Sequence, residues 1–451
     1  MQKELATGNI GRLLAKLAIP AVIAQVINLL YSVVDRIYIG HIPESGASAL
    51  TGVGLFMPIL MLINAFALLA GSGGAPRAAI AMGQKDQDRA EKIMGNCFLL
   101  LILFAIVLTV VFYVFAPQLL RLFGASEVTL PYAVEYAHVY ILGIVFVLIV
   151  MGMNPFITTQ GFARMSMLTT VIGAVLNIVL DPLFIFAFDM GVKGAALATV
   201  LSQAVAAVWI LCFLTGKKTV LRLKKENLKL QGNIIFPCLA LGISTFVMMA
   251  TESLLSISFT TSLAKFGGDL AVGAMTIITS VSLLVMMPVQ GICQGGQPII
   301  SYNFGAGNAV RVKKAFYLQF IVSVIYAVLF WGLLMLCPQL FAGMFTADAA
   351  LAEYTAWTLR IYMAGIFAMG LQLACQQSFM ALGEAKISLL LACLRKLILL
   401  IPLIFMLPLF FEDKVFAIFL AEPVSDMIAA SVTTILFFMR FDRILKKGTK
   451  R

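Results

Sequence analysis

Gly71-Ser72-Gly73-Gly74-Ala75-Pro76 is followed, 222 residues later, by Cys293-Gln294-Gly295-Gly296-Gln297-Pro298, with the Gly-Gly-x-Pro core intact. The same offset holds outward from that core. Gly83 and Arg89 return as Gly305 and Arg311, and Tyr132, Tyr140 and Gly143 as Tyr354, Tyr362 and Gly365. Gly161-x-Ala163-Arg164-x-Ser166 returns as Gly383-x-Ala385-Lys386-x-Ser388, and Pro117-Gln118-Leu119 as Pro338-Gln339-Leu340 with a slip of one residue. Chance supplies isolated identities but not a constant register over some 90 residues. The chain is a tandem duplication.

Composition says what kind of unit is duplicated. Of 451 residues 61% are apolar and 12% charged, against about 45–50% and about 25% in soluble domains. The mean hydropathy is +1.02. Such a chain needs lipid as solvent, which excludes a soluble enzyme, a secreted disulfide scaffold and a nucleic-acid-binding module. The seven cysteines (Cys97, Cys212, Cys238, Cys293, Cys337, Cys375 and Cys393) form no C-x-x-C pair and sit mostly in apolar runs. They read as small hydrophobes. The start, Lys3 through Lys16 and then apolar residues to Ile39, is too long for a signal peptide and reads as a retained first span.

Apolar runs of about 20 residues number twelve: roughly 17–39, 50–76, 93–116, 131–154, 165–188, 194–215, 236–262, 270–300, 315–337, 351–380, 387–410 and 415–439. The predicted fold is an all-α membrane protein, with twelve transmembrane helices in two pseudo-twofold-related six-helix lobes around a central cavity. The boundaries are 1–216 for the N-lobe, 217–235 for a cytoplasmic linker and 236–451 for the C-lobe. The second and eighth runs exceed a span and carry Pro58 or Pro288 beside their glycine clusters, so bent or broken helices are expected there. Basic residues set the orientation. Lys3, Arg12, Lys16; Arg77, Lys85, Arg89, Lys92; Arg164; the linker cations; Arg311, Lys313, Lys314; Lys386, Arg395, Lys396; and those from Arg440 onward fall on one side. Arg121, Lys193, Lys265 and Lys414 fall on the other. The positive-inside rule then makes both termini cytoplasmic, and the +11 net charge is topological. The basic run Lys217–Lys229 is expected to lie on the head-group surface.

Parallel repeats of six helices are one construction of secondary transporters. No phosphate-cradling loop is present: Gly216-Lys217-Lys218 lacks the glycine five residues upstream. An ion gradient is the remaining energy source. About 100 mV supplies roughly 2.3 kcal/mol per charge, enough for about a 40-fold concentration ratio. Charged residues inside spans cost about 2.5–3.5 kcal/mol each and are functional candidates. Asp35 and Asp181 both lie ~6–11 Å below the outer boundary by helix rise, with Asn177 one turn from Asp181 and Thr199 at the same level on the next span. Oxygen ligands suit Na⁺, and paired buried carboxylates suit proton carriage. The competing structural reading pairs Asp35 with Arg36 and leaves Asp181-Pro182 as a turn.

Leu17-Ala18-Ile19-Pro20…Gln25…Val34-Asp35-Arg36-x-Tyr38-x-Gly40, Asn177-x-x-x-Asp181-Pro182 and Gly194-Ala195-Ala196-x-Ala198-Thr199 resemble the first, fifth and sixth helices of the multidrug and toxic compound extrusion (MATE) transporters. The chain is most similar to the MepA-like bacterial branch. The resemblance implies a cation-coupling site of Asp35, Asn177, Asp181 and Thr199, a bend in the first helix at Pro20, and an N-lobe substrate cavity lined by Asn28 and Asn154. Asn28 stands where a Gln is expected. Glu252, mid-span in the seventh helix, is the candidate C-lobe substrate contact. Arg360 and Glu422 are expected to form a structural ion pair, with Asp426 on the same face as Glu422, and His138 is expected to be an interior structural residue.

The expected activity is efflux of cationic lipophilic compounds in exchange for H⁺ or Na⁺ by a monomer in the bacterial inner membrane. It needs no cofactor beyond the coupling ion and no metal, no nucleic acid and no partner except substrate and membrane lipid. Two rivals stand beside it. A lipid-linked oligosaccharide flippase of the same superfamily would need in-span Arg or Lys to face a diphosphate, and only Arg36 and Arg360 count as in-span. An integral membrane enzyme would need a His or acid cluster, whereas only His41 and His138 exist.

Overall fold

The computed structural model describes residues 2–43, 46–346 and 348–448. Among the described residues ten helices are long and apolar enough to cross a bilayer, and up to twelve if each of two bent pairs counts as one span. In chain order the spans are α1 Ile10–Gly40, α2 Ser48–Gly83, α3 Gln87–Leu122, α4 Leu130–Leu142 with Ile144–Thr159, α5 Ala163–Ala187 and α6 Gly191–Thr215. There follow α7 Gly232–Gly268, α8 Leu270–Gly305, α9 Ala309–Leu336, α10 Ala349–Gly365 with Phe367–Ala381, α11 Ala385–Phe410 and α12 Lys414–Lys446. A helix satisfies its backbone polar groups internally, which is why an apolar chain in lipid takes this form.

The repeat is written into local geometry. Asp86 and Asn308, 222 apart, cap α3 and α9 by accepting from Arg89 N and Arg311 N at 3.0 and 3.1 Å. Gly161 and Gly383 occupy the same left-handed turn, at φ 92° and 77°, between α4 and α5 and between α10 and α11. The bends are repeated as well, but not where the prolines suggest. The second and eighth spans each run as one helix; the sharp bends, 58° and 41°, interrupt α4 and α10. They fall at Gly143 and immediately after Gly365, another pair at the same offset. A Cβ on Gly143 would strike Val200, and one on Gly365 would lie 2.9 Å from the backbone of Pro423. Close approach of α6 and α12 therefore demands glycine there. Prolines within spans are tolerated because neighbouring helices and local adjustments satisfy the freed carbonyls.

The described residues pack as two compact units. One is 23–246; the other is 3–22 together with 247–451. The leading half of α1 thus belongs with the second repeat, and the leading half of α7 with the first. The Gly-Gly-x-Pro motif explains how. In the first unit a Cβ on Gly73 would collide with Cys238 O of α7, and one on Gly74 would lie 2.5 Å from Cys97 Sγ of α3. In the second unit a Cβ on Gly295 would lie 2.5 Å from the Ala18 backbone of α1, and one on Gly296 would collide with Gln319 of α9. The first glycine of each motif seats an exchanged helix and the second seats the third helix of its own repeat.

The segments that precede these exchanged helices dock in the same sense. In the second unit Asn303 Nδ2 and Arg311 Nη2 donate to Leu5 O, and Arg311 Nη2 also to Gly8 O at 2.9 Å. In the first unit Gln160 Oε1 accepts from Thr219 Oγ1, Val220 N and Leu221 N, each at 2.8 Å. Glu91 accepts from Arg222 N and pairs with Lys224 at 2.6 Å, while Asn96 Oδ1 accepts from Gln231 N. These bonds dock the linker on the first unit: the backbone N–H groups of Val220, Leu221, Arg222 and Gln231 all donate to side-chain oxygens, and Leu221 is fully buried.

Candidate functional site

Within the unit 23–246, α1, α5 and α6 bring four predicted residues together. Asn177 Nδ2 donates to Asp181 Oδ1 at 3.2 Å and to Thr199 Oγ1 at 3.3 Å. Thr199 Oγ1 donates to Ala195 O within its own helix. Asp35 reaches toward Asp181 from α1, and the two carboxyl groups are electrostatic neighbours. Asn177, Asp181 and Thr199 are buried and Asp35 is half-buried. Local structure produces the convergence. Asn177 and Asp181 are one turn apart on one face, and Pro182 is followed by a π-helical turn, Leu183–Ala187, of a kind common at functional sites.

The chemistry of the donor set is uniform. Asp35 Oδ1, Asn177 Oδ1 and Asp181 Oδ2 are buried acceptors without a hydrogen-bond partner. Buried acceptors are ordinarily satisfied, and an all-oxygen set fits a proton or a small hard cation. The pairing of Asp35 with Arg36 is not what forms: Arg36 is exposed and its guanidinium points to Met57 Sδ, 3.9 Å away.

Three tyrosines that the sequence reading missed complete this site. The Tyr136 hydroxyl lies near Thr199, and Tyr31, Tyr136 and Tyr140 all lie within electrostatic reach of Asp35. Tyr136 and Tyr140 stack at 5.9 Å, and both rings meet Phe56 edge-on. The signal available was that Tyr140 is one of the duplicated positions.

Asn28 and Asn154 make local bonds. Asn28 O accepts from Ser32 Oγ, and Asn154 Nδ2 donates to Ser166 O at 3.3 Å, leaving Asn154 Oδ1 buried and unpartnered. Pro20 lies inside α1, two residues before the boundary between units. His138 stacks on Tyr113 at 4.6 Å.

In the unit of 3–22 and 247–451 the charges pair differently from the expectation. Glu422 and Asp426 are taken by Arg395, at 2.9 and 2.7 Å, and Arg360 is exposed. Glu252 pairs with Lys396. Arg395 and Lys396 belong to no inner connection. α11 starts at Ala385, so at ~1.5 Å per residue they sit roughly 15 Å into the span. They lie on a π-helical turn, Leu394–Leu400. They join Arg36 and Arg360 as cations inside spans. Tyr362, the duplicate of Tyr140, lies within reach of the same acids.

Fold and sites together define a multi-pass membrane transporter of duplicated six-helix design. The chain belongs to the MatE family, whose model matches residues 20–183 and again 244–406, once per repeat. That places it among transporters rather than enzymes. Among its relatives is the multidrug export protein MepA of Staphylococcus aureus (strain NCTC 8325 / PS 47), 24% identical over 93% of this chain and 92% of that protein. The protein of the same description from Staphylococcus saprophyticus is 23% identical over the same shares. A MATE crystal structure in the bent conformation superposes with a TM-score of 0.92 at 23% identity, covering 99% of both chains. A multidrug resistance MATE transporter of the MOP superfamily, solved facing outward, superposes at 0.91 and 24%, covering 98% of both.

Proposed function

We propose that the protein is a secondary active antiporter of the bacterial inner membrane. It exports cationic lipophilic compounds in exchange for H⁺ or Na⁺, works as a monomer and has both termini in the cytoplasm. The observation that carries this reading is the cluster of unpartnered oxygens on Asp35, Asn177 and Asp181. The multidrug export ascribed to the MepA relatives supports the substrate class.

In the proposed cycle the inward gradient loads Asp35 and Asp181, with Asn177 and Thr199 orienting the second carboxylate. Loading neutralises the site and weakens its attraction for a cationic substrate, which leaves. Discharge restores the attraction for the next one. Coupling exists because ion and substrate compete for the same charge. Asn28 and Asn154 line the substrate path of the first repeat and Glu252 offers a counter-charge in the second. Residues 1–216 and 236–451 act as the two lobes, joined by 217–235.

The test is efflux of a fluorescent cation from everted vesicles under a pH gradient or a sodium gradient in turn. One of the two drives efflux in the wild type. Asp35→Asn and Asp181→Asn each lose it, and retained gradient-driven efflux in both overturns the coupling site.

A further inference from the structure

Glu252 sits near the middle of α7, and its side chain is 57% exposed while that of Lys396 is 9% exposed. A carboxylate facing hydrocarbon in mid-span costs at least about 2.5 kcal/mol, so the open side of Glu252 faces water. A cationic solute in that water meets a carboxylate already held by a lysine. Arg395 holds Glu422 Oε1 and Asp426 Oδ1, while Glu422 Oε2 is buried without a hydrogen-bond partner. Lys396 therefore has somewhere to go. Its ammonium already donates to Met248 O at 3.0 Å, and it lines a narrow cleft with Gln372, Gln376, Arg395, Met248 and Met369. In that cleft Gln372 Oε1 is a buried acceptor without a partner. The neighbouring amide, Gln376, is engaged, donating to Met248 Sδ at 3.3 Å.

We propose that Lys396 is a built-in competitor for Glu252. A lipophilic cation displaces the ammonium, which keeps Met248 O and takes Gln372 Oε1 instead, and its return expels the cation. Lys396 is thereby a specificity-determining residue. It sets how strong a cation must be to hold the site, and it keeps bound cations from being trapped. This rests on the reading of Glu252 as a substrate contact. An attached ammonium acts at an effective concentration of about millimolar or more, so removing it is felt directly as affinity.

The experiment is binding of tetraphenylphosphonium to the full-length protein in nanodiscs, with efflux of the same ion from vesicles. Lys396→Met binds it about tenfold more tightly, within the usual range of coupling between two ligands, and its maximal efflux rate falls because release slows. Lys396→Arg stays near the wild type. The double variant Glu252→Gln, Lys396→Met binds no more tightly than the wild type. A folded Lys396→Met with wild-type affinity overturns the proposal, as does a double variant that keeps the gain. If neither Lys396→Met nor Lys396→Gln folds, the ion pair is a structural staple and the proposal falls. No binding by the wild type or by Lys396→Met counts against the efflux reading itself, whereas wild-type binding without a gain counts against the lysine alone.

Discussion

The carboxyl groups of Asp35 on α1 and Asp181 on α5 lie within strong electrostatic reach of each other, although 146 residues separate them in the chain. Two acids so close are a liability unless something positive comes and goes. Replacing either by Asn keeps the shape and removes the charge that an ion would neutralise. Gradient-driven efflux is expected to fall at least tenfold in Asp35→Asn and in Asp181→Asn, about 1.4 kcal/mol or more of lost coupling. Equilibrium binding of a cationic substrate should weaken in both, because the charge that attracts it is gone. Asn177→Ala, which leaves Asp181 Oδ1 without its donor, should fall between these variants and the wild type. An Asp181→Asn protein that still concentrates substrate against a gradient would remove the pair from the mechanism.

Gly73 and Gly295 each touch the backbone of a helix from the other repeat, leaving no room for a Cβ. Overpacking a fitted interface costs about 1–3 kcal/mol. Gly73→Ala and Gly295→Ala should each lower the melting temperature in detergent and reduce transport by a similar factor, since the two sites are equivalent. Gly54, where a Cβ meets nothing within 4 Å, is the control, and Gly54→Ala should behave as wild type. Equal melting temperatures for Gly73→Ala and Gly54→Ala would contradict the packing account.

What the sequence disclosed and what it withheld divide along physical lines. Composition, twelve apolar runs and a constant offset are additive signals, so class, span number and duplication were legible. The pairing of Asn177 with Asp181 is local, one helical turn, and was legible too. The exchange of the leading halves of α1 and α7 is a topological fact with no local cost, so no residue in either helix announces it. The bends were sought at Pro58 and Pro288, yet they follow Gly143 and Gly365, where a neighbouring helix passes too close for a side chain. Arg395 was assigned to a connection because a charge near the start of an apolar run reads as its boundary. Tyr31, Tyr136 and Tyr140 carry no spacing signature that separates them from other interior aromatics.

Arg395 holds both Glu422 and Asp426, with side-chain exposures of 14, 10 and 4%. Removing one partner from a buried ion pair leaves uncompensated charge and costs about 3–5 kcal/mol, whereas replacing the whole group by apolar or neutral residues is often neutral. Arg395→Met should therefore reduce folded yield and melting temperature sharply. The triple variant Arg395→Met, Glu422→Gln, Asp426→Asn should recover most of the loss. Size-exclusion thermostability assays measure both, and a triple variant as unstable as the single one would show that the arginine acts through packing instead.

Lys224 gives the linker a pH dependence whose sign is fixed. The hydrogen bond and charge of Glu91 raise the Lys224 ammonium above its ordinary 10.5, so the attachment is complete below that value and is lost only as pH rises through the higher folded-state one. Cleavage of the linker by proteinase K, relative to a control peptide, should be constant across neutral pH and rise only in strong alkali. Glu91→Gln removes the charge and should cleave faster already at neutral pH. A linker equally resistant in Glu91→Gln would assign its docking to Gln160 and Asn96 alone.

Cys97 on α3 and Cys238 on the leading half of α7 are buried free thiols that neighbour each other inside the first unit. If alternating access requires the leading half of α7 to leave the first repeat, a covalent link between these sulfurs arrests it. Diamide should oxidise the pair to a disulfide, itself being reduced to the hydrazine, and efflux should stop. Dithiothreitol should restore it. Cys97→Ala and Cys238→Ala proteins should transport normally and ignore the oxidant, which separates this pair from the other five cysteines. Wild-type protein shown by mass spectrometry to carry the Cys97–Cys238 bond, yet transporting at full rate, would mean that α7 stays seated on α2 and α3 throughout the cycle and that access alternates by another movement.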